Sequence, residues 1–359
     1  MAMVFLLKVR QGLAVVIGMQ QRLSAAMNVS HGFTPSEMRR LEMGESTLNF
    51  IATGSGTRVF VKVYPMDTDL AAQAQAIAVG EFATAGGVPG VAVIPGDDGS
   101  VICRYDGLAY SVWPYLKAPS GADTGLTRAQ MDAMGAVLGR MHRRLAQHPH
   151  SRTDAAGRVN RRWDMDRTRV EFNRLRRLAA TQSDTEFGAW ACEALTQRTA
   201  ALPAVARIAA ALPALSTQVI HGDLAAPNVL LTDDGIAAVI DYQPPTVQPI
   251  AHDISRIGCD PRTVLRLGSE WPDALRDLAE AYLTQNPAAP AEDVIASVRW
   301  WVCYTATSTY PLRRLIAGES PTGGSLEAYA RHRHQALLAV TGRLDEVEHH
   351  VRTACGSPQ

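Results

Sequence analysis

The sequence carries no excess charge of either sign: 35 Lys and Arg stand against 35 Asp and Glu. Proteins that bind nucleic acid over a broad surface rely on a large positive excess, so no nucleic-acid partner is expected. Cysteine is sparse and poorly spaced for chemistry. Cys103, Cys192, Cys259, Cys303 and Cys355 form no CxxC or His-paired set of the kind that holds zinc, and their odd number fits no closed disulfide set. They read as reduced thiols in a cytoplasmic protein. Long apolar runs are missing too. The first 26 residues hold two short apolar patches broken by Lys8 and Arg10, too short to span a bilayer. Their positive residues follow the first patch, whereas a secretory signal would place them ahead of it. No membrane partner is expected.

What is present is the composition of a globular protein, 47% hydrophobic and 19% charged over 359 residues. A chain of that length exceeds the size at which one core usually stops growing, so two lobes around a cleft are expected. Residues 1–26 are read as an extension, disordered or ahead of the natural start. Residues 27–115 are read as a first lobe, and 116–355 as a mainly helical second lobe.

From Leu41 to Trp113 the apolar residues alternate or run in short β-branched stretches. Thr47 to Ala52 and Arg58 to Tyr64 flank Gly54-Ser55-Gly56, a composition suited to the positive φ angles of a tight hairpin. Gly96-Asp97-Asp98-Gly99 and Asp106-Gly107 suggest two further hairpins among the runs 91–95, 100–105 and 108–113. The count is five antiparallel strands. One helix, Asp69 to Ala85, interrupts them, capped by Thr68 or Asp69 and closed by Gly86-Gly87. Lys62 lies inside the apolar strand Val-Phe-Val-Lys-Val-Tyr, where a lone lysine must either reach solvent or face an anion.

After Tyr110-Ser111-Val112-Trp113-Pro114-Tyr115-Leu116 the period changes from two to 3.6. Met131, Met134, Leu138, Met141 and Leu145 share one face of a helix from Leu126 to Leu145, with Thr127 and Gln130 spaced as a capping box. Further on comes Val219-Ile220-His221-Gly222-Asp223-Leu224-Ala225-Ala226-Pro227-Asn228, followed by Ala238-Val239-Ile240-Asp241-Tyr242. A lone Asp or Asn between apolar runs is ordinarily a turn former, as Asp233-Asp234-Gly235 is. Asp223, Asn228 and Asp241 differ from that in their joint spacing of five and then thirteen residues, each bounded by apolar strands.

This segment resembles the HGDLxxxN brace of the aminoglycoside phosphotransferases and their downstream Ile-Asp-Phe-like element. After Met27 the chain is similar throughout to that aminoglycoside phosphotransferase and choline kinase-like family. The resemblance implies an α+β, bilobal protein-kinase-like fold with a five-stranded antiparallel N-lobe and a mainly helical C-lobe. It implies an enzyme that moves the γ-phosphate of ATP, or of GTP in its place, to a hydroxyl of an antibiotic or metabolite. On that pattern Asp223 orients and deprotonates the acceptor hydroxyl, and Asn228 and Asp241 hold Mg2+. His221 and Asp253 brace the loop. Lys62 holds the α- and β-phosphates, with Glu81, nineteen residues on, keeping it extended. Ser46 in the loop 44–49, and Trp113 and Tyr115 at the hinge, complete the nucleotide site.

One stretch departs from the pattern: Gln243 stands where the family usually carries a second acid, which puts a second metal in doubt. Between 151 and 180 nine arginines (152, 158, 161, 162, 167, 169, 174, 176, 177) face four acids. Either this is a solvated helix face, or it lines the cleft and favours an anionic acceptor over a polycation. Trp300, Trp301, Tyr304 and Tyr310 are expected on a helix from Glu292 to about Thr309, as core or as pocket walls. Arg331 to His334 read as an exposed polar stretch. Two other functions fit the same residues: a kinase that phosphorylates Ser or Thr of a precursor peptide, and a non-catalytic nucleotide-binding module. Oligomeric state is not legible.

Overall fold

A computed structural model describes residues 18–41, 47–152, 157–161, 163–319 and 324–356. The chain forms two compact units, one running through Glu81 and again over Val91–Lys117, the other taking Phe82–Gly90 and the chain from Ala118 onward. The class is α+β, with five antiparallel strands in the first unit and mostly helices in the second.

The first unit opens with a helix over residues 18–31 (α1). Its strands are β1 (Glu37–Leu41), β2 (Leu48–Gly54), β3 (Thr57–Tyr64), β4 (Cys103–Tyr105) and β5 (Leu108–Pro114), in the sheet order β1-β2-β3-β5-β4. Helix α2 (Leu70–Ala85) lies between β3 and β4 in sequence, and Asp69 caps it by accepting from the amides of Ala71 and Ala72. Two of the expected hairpins form as the turn residues dictate. Ser55-Gly56 and Asp106-Gly107 each take positive φ at both positions, the geometry whose twist matches paired strands. Val59, Val61 and Val63 alternate into a core with Phe50, Ala52, Tyr110 and Val112.

Two expectations fail here. The run 91–95 is not a strand; it contributes only an isolated bridge from Ile94 to Val112, because Pro89, Gly90 and Pro95 leave no room for a continuous ladder. The fifth strand is β1, whose polar sequence suits a largely exposed sheet edge and so lacks an apolar signature. The first unit also begins before Met27. Leu23, Ala26 and Met27 of α1 are fully buried against the sheet.

The second unit is built around α3 (Arg128–Leu145). Thr127 and Gln130 form the capping box, and the stripe Met131, Met134, Leu138, Met141 and Leu145 is fully buried. A three-stranded sheet combines β6 (Gly157–Val159) and β7 (Leu215–Val219) with a later strand, separated from each other by α4 (Met165–Ala180) and α5 (Glu186–Ala210). The hairpin β8 (Val229–Leu231) and β9 (Ile236–Val239) follows, and β10 (Val247–Pro249) closes the three-stranded sheet. The remaining helices are α6 (Ile250–Gly258), α7 (Pro261–Leu267), α8 (Trp271–Gln285), α9 (Ala291–Thr307), α10 (Leu312–Ile316), α11 (Gly324–Gly342) and α12 (Leu344–Gly356).

Helices α3 and α8 meet backbone to backbone. A Cβ on Gly135 would lie 2.2 Å from the carbonyl oxygen of Leu278, and one on Gly139 2.5 Å from that of Tyr282. Gly135→Ala is therefore expected to lose about 1–3 kcal/mol through overpacking, although alanine is the better helix former. Gly342→Ala, with no heavy atom within 4 Å of the added carbon, is expected to be neutral or stabilising. Equal denaturant midpoints for the two variants would contradict this close approach.

Candidate active site

The loop between β7 and β8 is held by a carboxylate from the first turn of α6. Asp253, fully buried, accepts from the amide of His221 at 2.7 Å and from that of Gly222 at 3.1 Å. It does not cap its own helix, which starts at Ile250. The imidazole of His142 on α3 approaches the same carboxylate at 3.2 Å through Nε2 and the hydroxyl of Tyr282 on α8 at 3.0 Å through Nδ1. Burial alone would raise the Asp253 pKa, but the hydrogen bond from His142 and the neighbouring imidazoles outweigh it and hold the group below the usual carboxylate range.

His221 joins the loop to the strand beside it. Its Nε2 faces the carbonyl oxygen of Ile240 at 2.9 Å, and the amide of Asp223 faces its Nδ1 at 3.2 Å. Both contacts are satisfied by a neutral ring protonated at Nε2, which donates to the carbonyl and accepts from the amide. The ring also stacks against Tyr242, centroids 4.4 Å apart. Gly222 takes φ +85°, which favours glycine, and a Cβ there would also press on that of Gln243 at 3.0 Å. Gln243 thus packs on the loop, and its backbone N–H donates to the carbonyl of His221.

Asp223 follows, its side chain 46% exposed. The amide nitrogen of Asn228 donates to the Asp223 carbonyl at 2.8 Å and lies 3.4 Å from its Oδ2. The Ile240 amide donates to the Asn228 carbonyl at 3.0 Å, so Asp241 is the next residue after a point tied to both His221 and Asn228. Asp241 itself takes φ +67°, a conformation that aspartate tolerates better than most residues. Asp223, Asn228, Asp241, His221 and Asp253 therefore belong to one hydrogen-bonded loop system in the second unit.

Sequence reasoning missed three participants. Arg256, one helical turn after Asp253, ion-pairs with Asp223 through Nη2. Asp260 accepts from the amide of Ala226 at 3.1 Å and caps α7 through Arg262; an Asp before Pro261 signals a helix start, but nothing local ties it to the loop. His142 was the most legible of the three, a polar residue beside the Met stripe of α3.

The nucleotide candidates lie in the first unit. Lys62 pairs across β3 with Asn49 and Ser111, on the sheet face opposite Val61 and Val63. Ser111 bonds to Tyr64 and receives the indole N–H of Trp113. Glu81 is half-buried on α2, and Tyr115 directly follows β5, its amide bonded to the Arg58 carbonyl. Ser46 lies outside the described residues.

The arginine-rich stretch is mostly a solvated face. On α4, Arg167, Arg169, Arg174, Arg176 and Arg177 are exposed while Phe172, Leu175 and Ala179 pack inward. Arg169 pairs with Asp166, Arg174 with Glu171, and Arg158 with Glu292. Arg161 differs, stacking over Trp163 and Trp300. The side chains of Arg152 and Arg162 lie outside the described residues. Trp300 and Trp301 are core, Tyr304 is half-buried on α9, and Tyr310 falls beyond the helix. The exposed reading of Arg331 to His334 fails for two of the four. Arg333 and His334 are buried, because they sit on the inner face of α11.

The architecture and the loop together define a kinase-type phosphotransferase. The sequence model of the phosphotransferase enzyme family (APH) matches residues 37–294, and the chain belongs to that family, whose members transfer phosphoryl groups to hydroxyls of small molecules. The family is one of enzymes, which supports the catalytic reading over a purely binding module. Solved structures share the fold at low identity. Spectinomycin phosphotransferase APH(9)-Ia, in complex with ADP and spectinomycin, is 14% identical with a TM-score of 0.63, covering 93% of this chain and 98% of that one. A microcompartment-associated aminopropanol kinase is 17% identical with a TM-score of 0.53, covering 91% and 98%. An amicoumacin kinase in complex with AMP-PNP, Ca2+ and its ligand is 13% identical with a TM-score of 0.52, covering 89% and 92%. No curated protein matches the chain. Among the described residues no helix is long and apolar enough to cross a membrane.

His252, beside the brace, gives a pH signature. Its Nδ1 accepts from the indole N–H of Trp300 at 3.3 Å, and burial, with Arg256 and Arg161 adding to it, pushes its pKa down to about 4. Between that value and the unfolded pKa of about 6.5 the unfolded chain binds the proton and the folded one does not. Stability from this group is full above the window and falls as pH drops through it, by about 2 kcal/mol from pH 7 to pH 5. His252→Asn, which keeps an acceptor for Trp300, is expected to flatten that part of the stability profile measured by denaturant unfolding. An unchanged slope would contradict a buried neutral imidazole.

Proposed function

We propose that the chain transfers the γ-phosphoryl group of ATP, or of GTP in its place, to a hydroxyl of a small molecule. The observation that carries the reading is the placement of the Asp223 carboxylate beside the Asn228 amide, on a loop that His221 ties to the residue before Asp241. Phosphoryl transfer asks little covalent chemistry of the protein; it asks for positioned groups around the reacting oxygen and the phosphates.

In this reading the acceptor hydroxyl attacks the γ-phosphorus, the bond from that phosphorus to the bridging oxygen breaks, and the nucleoside diphosphate leaves. Asp223 orients the hydroxyl and takes its proton. Asn228 and Asp241 are the residues that would hold Mg2+. Their donors are an amide oxygen and a carboxylate, hard ligands suited to a metal that keeps waters and binds with substrate phosphates. When bound, the metal neutralises charge on the phosphates. Lys62 is assigned to the α- and β-phosphates and Glu81 to its orientation, with Trp113 and Tyr115 beside the nucleotide. Similar solved structures hold ADP or AMP-PNP, which supports a nucleotide donor.

Asp223→Asn is expected to fold, to bind nucleotide, and to lose turnover by about 100- to 10,000-fold. Lys62→Ala is expected to weaken nucleotide binding as well as rate. Product formation followed by mass spectrometry over a panel of hydroxylated antibiotics and metabolites provides the readout. Parent-level turnover by the Asp223 variant would remove its role as base.

A further inference from the structure

Beside Asp223 the second unit holds a guanidinium group whose hydrogen-bonding capacity its carboxylates do not fill. Arg256 engages Asp223 through Nη2, but its Nε–H is buried with no acceptor. Among the described residues Asp223 is the one carboxylate within ion-pair distance of Arg256. The nearby carboxylates are occupied, Asp253 by the loop amides and Asp260 by Ala226 and Arg262.

Arg161 lies 4.6 Å from the ring of Trp163 and 5.5 Å from that of Trp300, with no carboxylate in ion-pair range among the described residues. Its neighbour Trp300 donates its indole N–H to His252, which lies one helical turn before Arg256 on α6. Deeper in, Arg198 and Arg333 are 2% and 3% exposed. They donate to Ser308 and to the carbonyl of Tyr310, with no carboxylate partner among the described residues. Arg333 stands 5.6 Å from the ring of Tyr304, which faces His252 at 5.1 Å on another side. Guanidinium groups buried without counter-charge are costly, and a site that accepts an anion relieves that cost.

We infer that the acceptor of this enzyme is itself anionic: an alcohol bearing a carboxylate or phosphate group, which binds the Nε edge of Arg256 with Arg161 beside it and brings its hydroxyl to Asp223. The inference rests on the phosphotransfer reading above and names the substrate class for it. A guanidinium offers paired N–H groups that match the two oxygens of such an anion. The anion shares Arg256 with Asp223, so binding and release of the base are linked. A polycation would meet a field of its own sign.

The test uses four ligands with the same phenyl ring and benzylic hydroxyl: mandelate, 1-hydroxybenzylphosphonate, mandelamide and 2-amino-1-phenylethanol. Each is titrated at millimolar concentration into the full chain with Mg2+ and AMP-PNP, by calorimetry. Binding of the two acids, and not of the amide or amine, is expected. The tighter of the two acids assigns carboxylate or phosphate as the acceptor's charge. Arg256→Gln is expected to weaken the acid by about tenfold or more, and so is Arg161→Ala, whose exposed position keeps the variant folded. Equal binding of all four, binding of the amine alone, no binding of either acid, or an acid affinity unchanged in Arg161→Ala overturns the inference. AMP-PNP binding without the probes is measured in the same samples; its absence would instead overturn the phosphotransfer reading.

Discussion

The carboxylate of Asp253 is the constraint on which the rest of the site depends. It is buried, it accepts two consecutive backbone amides, and it is held from behind by His142 and, through that ring, by Tyr282. Each of those amides, if orphaned in the interior, would cost about 1–3 kcal/mol. The loop is therefore not free to drift from the first turn of α6. Gly222 takes its left-handed conformation with its own amide and that of His221 anchored on Asp253, and Asp223 leaves the loop in the direction that this conformation sets. His221 carries the same constraint across to Ile240, one residue before Asp241.

The close approach of α3 and α8 belongs to the same design. Gly135 and Gly139 let the helices meet, and the two residues that reach between them toward the brace, His142 and Tyr282, come one from each. Packing and polar satisfaction are thus coupled: a shift in the helix pair moves the group that lowers the Asp253 pKa. On the other side of the brace the balance of charge is different. Asp253 and Asp260 are satisfied within the loop, whereas Arg256 and Arg161 keep capacity for another anion. Beside the loop the buried carboxylates are hydrogen-bonded while the Arg256 Nε–H has no acceptor, which is the reverse of what a polycationic acceptor would require.

Much of this was legible in the residues, and what was hidden has a physical explanation. Turn chemistry at Ser55-Gly56 and Asp106-Gly107, the Thr127 capping box and the stripe of α3 are local signals, and all appear in the structure. The loop from His221 to Asn228 was recognisable because its spacing is dense and unusual. Strand β1 was not, since an exposed edge needs no apolar alternation, and the run 91–95 misled because its β-branched residues are broken by prolines. Arg333 and His334 look like surface residues in sequence; only tertiary packing buries them. Arg256 and Asp260 act on groups more than thirty residues away, and no local pattern reports such a partner. The nine arginines were a correct count and a misleading location, because those whose side chains are described are exposed, and Arg158, Arg169 and Arg174 pair with nearby acids.

Amide hydrogen exchange of the His221 and Gly222 N–H groups, compared between the parent and Asp253→Asn, tests the role of the brace without any substrate. The account predicts that both amides are strongly protected in the parent. In the variant they should exchange faster by on the order of 100-fold, while amides in the middle of α3 keep their protection. Unchanged protection at His221 and Gly222 in the folded variant would show that the loop is held by something else, and the account built on Asp253 would fail.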